Sequence, residues 1–245
     1  MSTVAPSSDA RISSRNLKHA VASYVRKGVF AGTLKAGQRI DQDELAATLG
    51  VSKVPVREAL ISLEAEALVI TVPRRGTFVA PLSAQDVANH FHMTGLIAGF
   101  AASRATERLT EEDLAELERI LHDMRYAREP AALQMLNDQF HRIINNAGCT
   151  GRIRSVLGLL ADGIPSRLEF AVGWDNLANY DHLQILEALK AKDADRVGEL
   201  MFEHVRSGYV EAVKALEGIG FWSADGADPE DSTGGSIIGG ETFAP

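Results

Sequence analysis

Hydrophobic positions along this chain follow a helical period almost throughout, with one short exception. Apolar residues recur every three to four positions over 17–30, again in DQDELAATLG, and again over 56–67, which predicts three helices. In LVITVPRRGTFVA the pattern changes to alternation around a Pro-Arg-Arg-Gly turn, which predicts a small β-hairpin. After Pro81 helical spacing returns and continues to about Leu216, which predicts about six further helices.

Glycine, serine and proline mark the ends of two of the first three helices. Gly50 follows the second helix at the position where a left-handed cap is common. Ser52 is a favourable N-cap for the third helix, and Pro55 falls in its first turn, where a missing N–H costs little. Helix, short helix, glycine turn, helix and hairpin, in that order, predict a winged helix-turn-helix.

The same pattern divides the chain into segments of different character. The predicted fold class is mostly α: a winged helix-turn-helix with a small β-hairpin wing, followed by an all-α helical bundle. The four expected segments are a disordered N-terminus (1–14), a winged helix-turn-helix (15–81), an all-helical domain (82–217) and a flexible, acidic, glycine-rich tail (218–245).

Composition limits the class of protein. With 45% hydrophobic and 24% charged residues, the chain of 245 residues has enough apolar surface to bury a core. It contains no apolar run long enough to span a bilayer and no signal-peptide pattern. Cys149 is the only cysteine, which fits a reducing compartment. We therefore expect a soluble, cytoplasmic protein with no membrane partner.

Charge is distributed unevenly. Residues 1–81 contain 11 Lys and Arg against 7 Asp and Glu, whereas residues 82–220 contain 14 against 21. A basic front joined to an acidic remainder is expected if only the front meets a polyanion. Ordinary variation of surface charge explains the same numbers equally well.

The segment GVSKVPVREAL carries polar groups at the start of the third predicted helix. In a recognition helix the N-terminal residues approach base edges. Arg57 can donate two hydrogen bonds to guanine O6 and N7, and Lys53 is a weaker, point-charge reader. Ser52 and the N–H groups of the helix N-terminus can bind a phosphate. The alternative is a solvated face with nothing opposite it.

The turn of the predicted hairpin adds a second candidate contact. Arg74 and Arg75 lie at its tip, where they can reach the DNA backbone or minor groove. Gly76 permits a close approach of the backbone. The sequence therefore predicts a DNA contact by the wing as well as by the helix.

The stretch AGTLKAGQRIDQDELAATLGVSKVPVREALISLEAEALVITVPRRGTFV resembles the winged-helix domain of GntR-family transcription regulators over about 65 residues. The resemblance implies DNA contacts by Ser52, Lys53 and Arg57, with Arg75 and Gly76 in the wing. Lys53 stands where the family usually has arginine. Asp43 stands where some members have a DNA-contacting arginine, and that role is not transferred to it.

Three histidines in the second domain share helix faces with apolar residues. They are His141 in LNDQFHRII, His182 in YDHLQILEALKAKD and His204 in VGELMFEHVRSG. Three imidazoles that face a bundle interior can bind one divalent ion, with Zn, Ni, Mn and Fe as candidates. Each histidine taken alone is more often a packed core residue.

The same segments resemble the FCD effector domain of the FadR-like branch of GntR regulators, over residues 83–217. The motifs are N-x-x-FH-x-x-I, DH-x-x-I-x-x-AL-x-x-x-D and M-x-x-H. The resemblance implies a metal site of Asn137, His141, His182 and His204. Asn137 stands where aspartate is common and is a poorer, neutral ligand; alternatively, it orients His141 through a hydrogen bond.

The FCD resemblance also implies a small-molecule effector, a carboxylate, bound near the metal. An arginine and a glutamate usual on the first helix of this domain appear as Thr94 and Ala98, which predicts a less polar pocket. Arg142 and Arg167 are the candidate anion partners.

Together these features favour an effector-responsive transcription regulator that binds a pseudo-palindromic operator as a homodimer. One alternative is a metal-dependent hydrolase that uses the three-histidine site, although no HExxH, Ser/His/Asp group or phosphate-binding glycine loop is present. The other is a DNA-binding protein with a purely structural metal. We expect no catalytic residues.

Overall fold

A computed structural model of the protein describes residues 9–164 and 175–222. It confirms a mostly helical fold with a small antiparallel sheet near the N-terminus. The described residues form two compact units: those up to Ser83 together with those from Leu216 onward, and those within Ala84–Ala215. Within the described residues, no helix has the length and apolarity that a bilayer crossing requires.

The first unit is built from three helices and a three-stranded sheet. Its elements are α1 (Asp9–Phe30), β1 (Arg39–Ile40), α2 (Gln42–Leu49), α3 (Lys53–Ala65), β2 (Val69–Val72) and β3 (Gly76–Val79). Strand β3 lies between β1 and β2 and pairs antiparallel with both. Its core includes the fully buried Val25, Val56 and Leu63.

A capped turn connects α2 to α3. At the start of α2, Asp41 Oδ1 accepts hydrogen bonds from the backbone N–H groups of Asp43 (2.8 Å) and Glu44 (3.1 Å). At its end, Gly50 adopts φ 64° and ψ 32°, which confirms the left-handed cap. The chain reverses there, and α3 begins three residues later at Lys53.

Three boundaries in the first unit differ from those predicted. Residues 9–14, expected to be disordered, form the start of α1. Strand β1 was not predicted, because two residues are too few to show alternation. Helix α3 ends at Ala65, and Ala67 adopts a left-handed φ of 57°.

The predicted tail also begins later than expected. Residue 218 still belongs to the last helix, and the Trp222 indole Nε1 donates a hydrogen bond of 2.6 Å to the Leu82 carbonyl. The start of the segment 218–245 therefore packs against other residues of the first unit. Residues 223–245 lie outside the described residues.

The second unit contains the remaining six helices of the described residues. They are α4 (Ala84–Ala105), α5 (Glu111–Tyr126), α6 (Pro130–Gly148), α7 (Gly151–Gly163), α8 (Asp175–Lys190) and α9 (Ala194–Gly218). Their apolar faces form one core, whose largest fully buried members include Leu117, Phe140, Ile144 and Ile185.

Small residues on α4 allow α9 to approach it closely. A Cβ at Gly99 would lie 2.7 Å from the Gly198 carbonyl oxygen, and one at Gly95 would lie 2.9 Å from that of Phe202. Any larger residue at these positions would push the two helices apart. This approach seats the following turn of α9, with His204, in the interior of the unit.

Candidate DNA interface and metal centre

Helix α3 has one buried and one exposed face at its N-terminal end. Val56 and Leu60 are buried, whereas Ser52, Lys53 and Arg57 are exposed. Ser52 occupies the N-cap position with extended backbone, and its side chain makes no capping hydrogen bond. The three predicted DNA-contacting residues therefore lie together on the exposed face, with the Ser52 hydroxyl not used by its own helix.

An ion pair links the N-terminal ends of α2 and α3. Lys53 Nζ lies 2.6 Å from Asp43 Oδ1, and the two side chains are 63% and 69% exposed. No salt bridge joins Arg57 to any described residue. The sequence did not predict this pair, because its members lie ten positions apart on different helices.

The wing places its arginines at the turn between β2 and β3. Arg74 and Arg75 are exposed, and Arg74 adopts a left-handed φ of 63°. Gly76 has φ 109°, and a Cβ there would lie 3.1 Å from Arg39 Nε. Arg39 is therefore a further cation beside the wing. The sequence pattern did not place it there, because strand β1 is only two residues long.

Three imidazoles meet inside the second unit. His141 Nε2 lies 3.4 Å from His182 Nε2 and 3.3 Å from His204 Nε2. One nitrogen from each ring lies within 4.8 Å of those of the other two. The residues come from α6, α8 and α9, so three helices contribute one nitrogen each. The structure thus brings together the three histidines that the sequence predicted as ligands.

Neighbouring side chains fix the orientation of two of these rings. Asp181 Oδ2 lies 3.2 Å from His204 Nδ1, and an ionised carboxylate can only accept a hydrogen bond. His204 therefore donates from Nδ1, which leaves Nε2 as the nitrogen that faces the cluster. Phe140 packs on His182, with ring centroids 4.5 Å apart. Sequence reasoning gave Asp181 no role.

Asn137 lies one turn before His141 and is 6% exposed. Its Nδ2 donates to Asp138 Oδ1 at 3.5 Å, while its Oδ1 has no hydrogen-bond partner among the described residues. A buried carbonyl oxygen without a partner is unfavourable unless a ligand occupies it. Three imidazole nitrogens and one such oxygen are a donor set that suits a divalent transition metal.

A cavity of about 160 Å³ adjoins this cluster. Its lining includes Asn137, His141 and His204, and also His90 and Thr94 of α4. Most of the remaining wall is apolar. Burial lowers the pKa of His90, and a hydrogen bond with the Leu160 backbone opposes this shift only in part. The neutral His90 ring is thus a polar group of the wall that the sequence did not identify.

The two predicted anion partners are not found in this wall. Arg142 is exposed on α6 and does not line the cavity, and Arg167 lies outside the described residues. No arginine or lysine of the described residues lines it. Thr94 does line the cavity, but its hydroxyl donates to the His90 carbonyl of its own helix at 2.8 Å.

A winged helix-turn-helix followed by a helical bundle with a histidine cluster defines the class: a DNA-binding transcription regulator. Two family profiles support it: "Bacterial regulatory proteins, gntR family" matches residues 17–79, and "FCD domain" matches residues 90–207. The chain belongs to the GntR family and carries an FCD domain. Both predicted resemblances are confirmed.

Two relatives of known source are named as transcription regulators. The chain is 29% identical over 148 residues to the HTH-type transcriptional regulator Rv0043c of Mycobacterium tuberculosis, covering 60% of this chain and 61% of that protein. It is 29% identical over 188 residues to the HTH-type transcriptional repressor RspR of Escherichia coli, covering 74% and 82%. These relatives are named as regulators, and the hydrolase alternative is not favoured.

Solved structures share the fold. Escherichia coli McbR/YncC superimposes with a TM-score of 0.63 at 24% identity, over 81% of this chain and 97% of that one. At this identity the match supports the arrangement of helices and wing, and says nothing of the ligand.

Proposed function

We propose that this regulator binds a pseudo-palindromic operator as a homodimer and responds to a small molecule that binds beside a divalent metal in the helical unit. Ser52, Lys53 and Arg57 of α3 contact the operator, with Arg74, Arg75 and Gly76 in the wing. The meeting of three imidazole nitrogens within 4.8 Å, at the edge of a cavity, supports the regulatory half of the proposal most strongly.

His141, His182 and His204 would hold the metal, with Asn137 Oδ1 as a fourth ligand. When bound, it would supply a Lewis-acidic centre for an effector carboxylate or carbonyl oxygen. The chain's own residues do the rest: Asp181 orients His204, and the apolar wall excludes water from the ligand. A molecule with an oxygen-bearing head and an apolar body fits this lining better than a polyanion does.

An exposed apolar face on α4 and α7 supports the homodimer. Leu96, Phe100 and Val156 are each about half exposed, and they line a shallow groove of about 360 Å³ together with Ile97 and Ile153. Exposed apolar patches of this kind mark interaction surfaces. A second copy would cover the face by the two-fold symmetry that a palindromic site requires.

Effector and operator binding are coupled in this proposal. A ligand that favours one conformation of the dimer changes operator affinity, and the operator changes ligand affinity by the same factor. The cavity wall includes residues of α4, α6, α7 and α9, so an occupant contacts four of the six helices at once.

Metal content is the first test. Protein purified without chelator or nickel resin should contain about one divalent ion per chain, and the His141→Ala/His182→Ala variant should contain none. Carboxylate libraries screened by thermal shift against metal-loaded protein should then find ligands that also change operator affinity. Absence of metal in both proteins would contradict the metal site. A metal that no ligand accompanies, and whose removal unfolds the unit, would instead indicate a structural ion.

A further inference from the structure

We propose that Asp43 is a specificity-determining residue of the DNA interface, because its ion pair with Lys53 competes with DNA phosphates for the lysine. The inference rests on the proposed operator binding through α3. It concerns the first unit alone and does not depend on the metal or the effector.

The local geometry favours a functional pair over an accidental one. Lys53 is the first residue of α3, and Asp43 lies in the first turn of α2. The Asp43 backbone N–H is held by Asp41 Oδ1 at 2.8 Å, which fixes where the residue sits. The Asp43 carboxylate takes no part in this cap and lies 2.6 Å from Lys53 Nζ. The pair is exposed, so DNA can reach it.

A carboxylate at this place has two effects on DNA binding. It repels phosphates, and it neutralises one of the two cations at the start of α3. Sequence-independent binding depends almost entirely on phosphate contacts, so both effects weaken it. At a matching site, a guanine can accept from the Lys53 ammonium through O6 and N7 and compensate for the lost ion pair. The repulsive group therefore raises discrimination while it lowers overall affinity.

Arg57 provides an internal contrast. It lies one turn after Lys53 on the same exposed face, and no salt bridge joins it to a described residue. The charge of Arg57 is therefore available to every DNA sequence, in addition to any base that Arg57 reads, whereas the charge of Lys53 is fully available only where a base displaces Asp43.

The test compares Asp43→Asn with wild type on an operator selected from random duplexes and on a scrambled duplex of equal length. We expect Asp43→Asn to bind the scrambled duplex about threefold more tightly, and the slope of log K against log salt to steepen by about 0.9. The operator-to-scrambled ratio should fall. Unchanged scrambled affinity and slope would overturn the proposal, and so would a loss confined to the operator, which would indicate that Asp43 reads a base directly.

Glu116→Gln is the matched control. Glu116 forms an exposed ion pair of the same length, 2.6 Å, with Arg119 in the helical unit, and its loss changes net charge equally. It should leave both affinities unchanged. A second arm adds Lys53→Gln to wild type and to Asp43→Asn. If Asp43 acts through Lys53, the lysine change should remove most of the effect of Asp43→Asn; a full effect without Lys53 would contradict competition.

Failure of the proposed function gives a different result. If wild type prefers no sequence and Arg57→Ala binds as wild type does, operator binding through α3 is wrong and this inference falls with it. If wild type prefers the operator, Arg57→Ala weakens it and Asp43→Asn changes nothing, the inference about Asp43 alone is wrong.

Discussion

The two candidate functional regions of this regulator keep their polar groups in opposite environments. On α3, Lys53 and Arg57 are exposed, whereas in the helical unit His182 is fully buried and His204 is 4% exposed. Exposed charges are solvated without a partner and are screened by salt. Buried polar groups must be paired or liganded within the fold. We therefore expect the proposed DNA-facing region to be sensitive to ionic strength, and the buried cluster to be sensitive to side-chain volume and to metal.

The largest expected effect is at the buried cluster. His182→Ala should remove the metal and lower the free energy of unfolding by about 3 kcal/mol, because it also leaves a cavity in the core. Elemental analysis and denaturant unfolding with and without added metal measure both effects. The substitution changes no contact within the first unit, so the metal-free protein should still bind the operator.

His122→Ala is the control for this change. His122 is an exposed histidine of α5, with a side chain 68% exposed, so its loss should alter stability by less than about 0.5 kcal/mol and leave metal content unchanged. If His182→Ala kept the metal content of wild type, His182 would not be a metal ligand.

The next effect concerns the exposed region. Arg57→Ala should weaken operator binding by about 1–3 kcal/mol and relax the preference at one base pair, with little change in stability. Binding to a set of single-base operator variants measures this, with Arg125→Ala of α5 as an exposed control. If sequence preference survives intact, α3 does not read bases through Arg57.

The sequence predicts the two regions to different degrees. Gly50, Ser52 and Pro55 carry local signals, so the turn before α3 and the start of that helix could be placed from residue type alone. His141, His182 and His204 were recognisable because a polar ring interrupts an apolar stripe. Partners outside the local pattern were not predictable: Asp43 meets Lys53, and Asp181 meets His204, across different helices.

Two features of the first unit could not be predicted, for different reasons. Strand β1 is two residues long and exists because β3 pairs with it, which is a property of the tertiary fold. The N-terminal part of α1 is rich in serine and alanine and shows no apolar period. The sequence therefore offered no sign that residues 9–14 continue a helix.

A smaller effect is expected at Asn137. Its substitution tests whether the buried side chain is a metal ligand. Asn137→Asp should bind metal about tenfold more tightly, because a carboxylate replaces a neutral oxygen donor. Without metal the same change should destabilise the protein, since it buries a charge near Asp138. Metal titration and unfolding of both forms would show these opposite signs. Asn146→Asp, exposed on the same helix, should show neither, and a destabilised variant with unchanged metal affinity would exclude Asn137 as a ligand.

The smallest effect is expected at Asp41, the exposed cap that holds the Asp43 backbone. Hydrogen bonds from the backbone N–H groups of Glu44 and Asp43 lower the pKa of Asp41 below its usual 3.8. Since the folded pKa is the lower one, its contribution to stability is complete above the unfolded pKa and is lost as pH falls through the folded value. Asp41→Asn keeps a capping oxygen but cannot titrate. The difference in melting temperature between wild type and Asp41→Asn should therefore be constant from pH 7 to 5 and shrink below pH 4. At every pH it should be far smaller than the change caused by His182→Ala. A difference that grows on acidification would mean that the carboxylate does not cap α2.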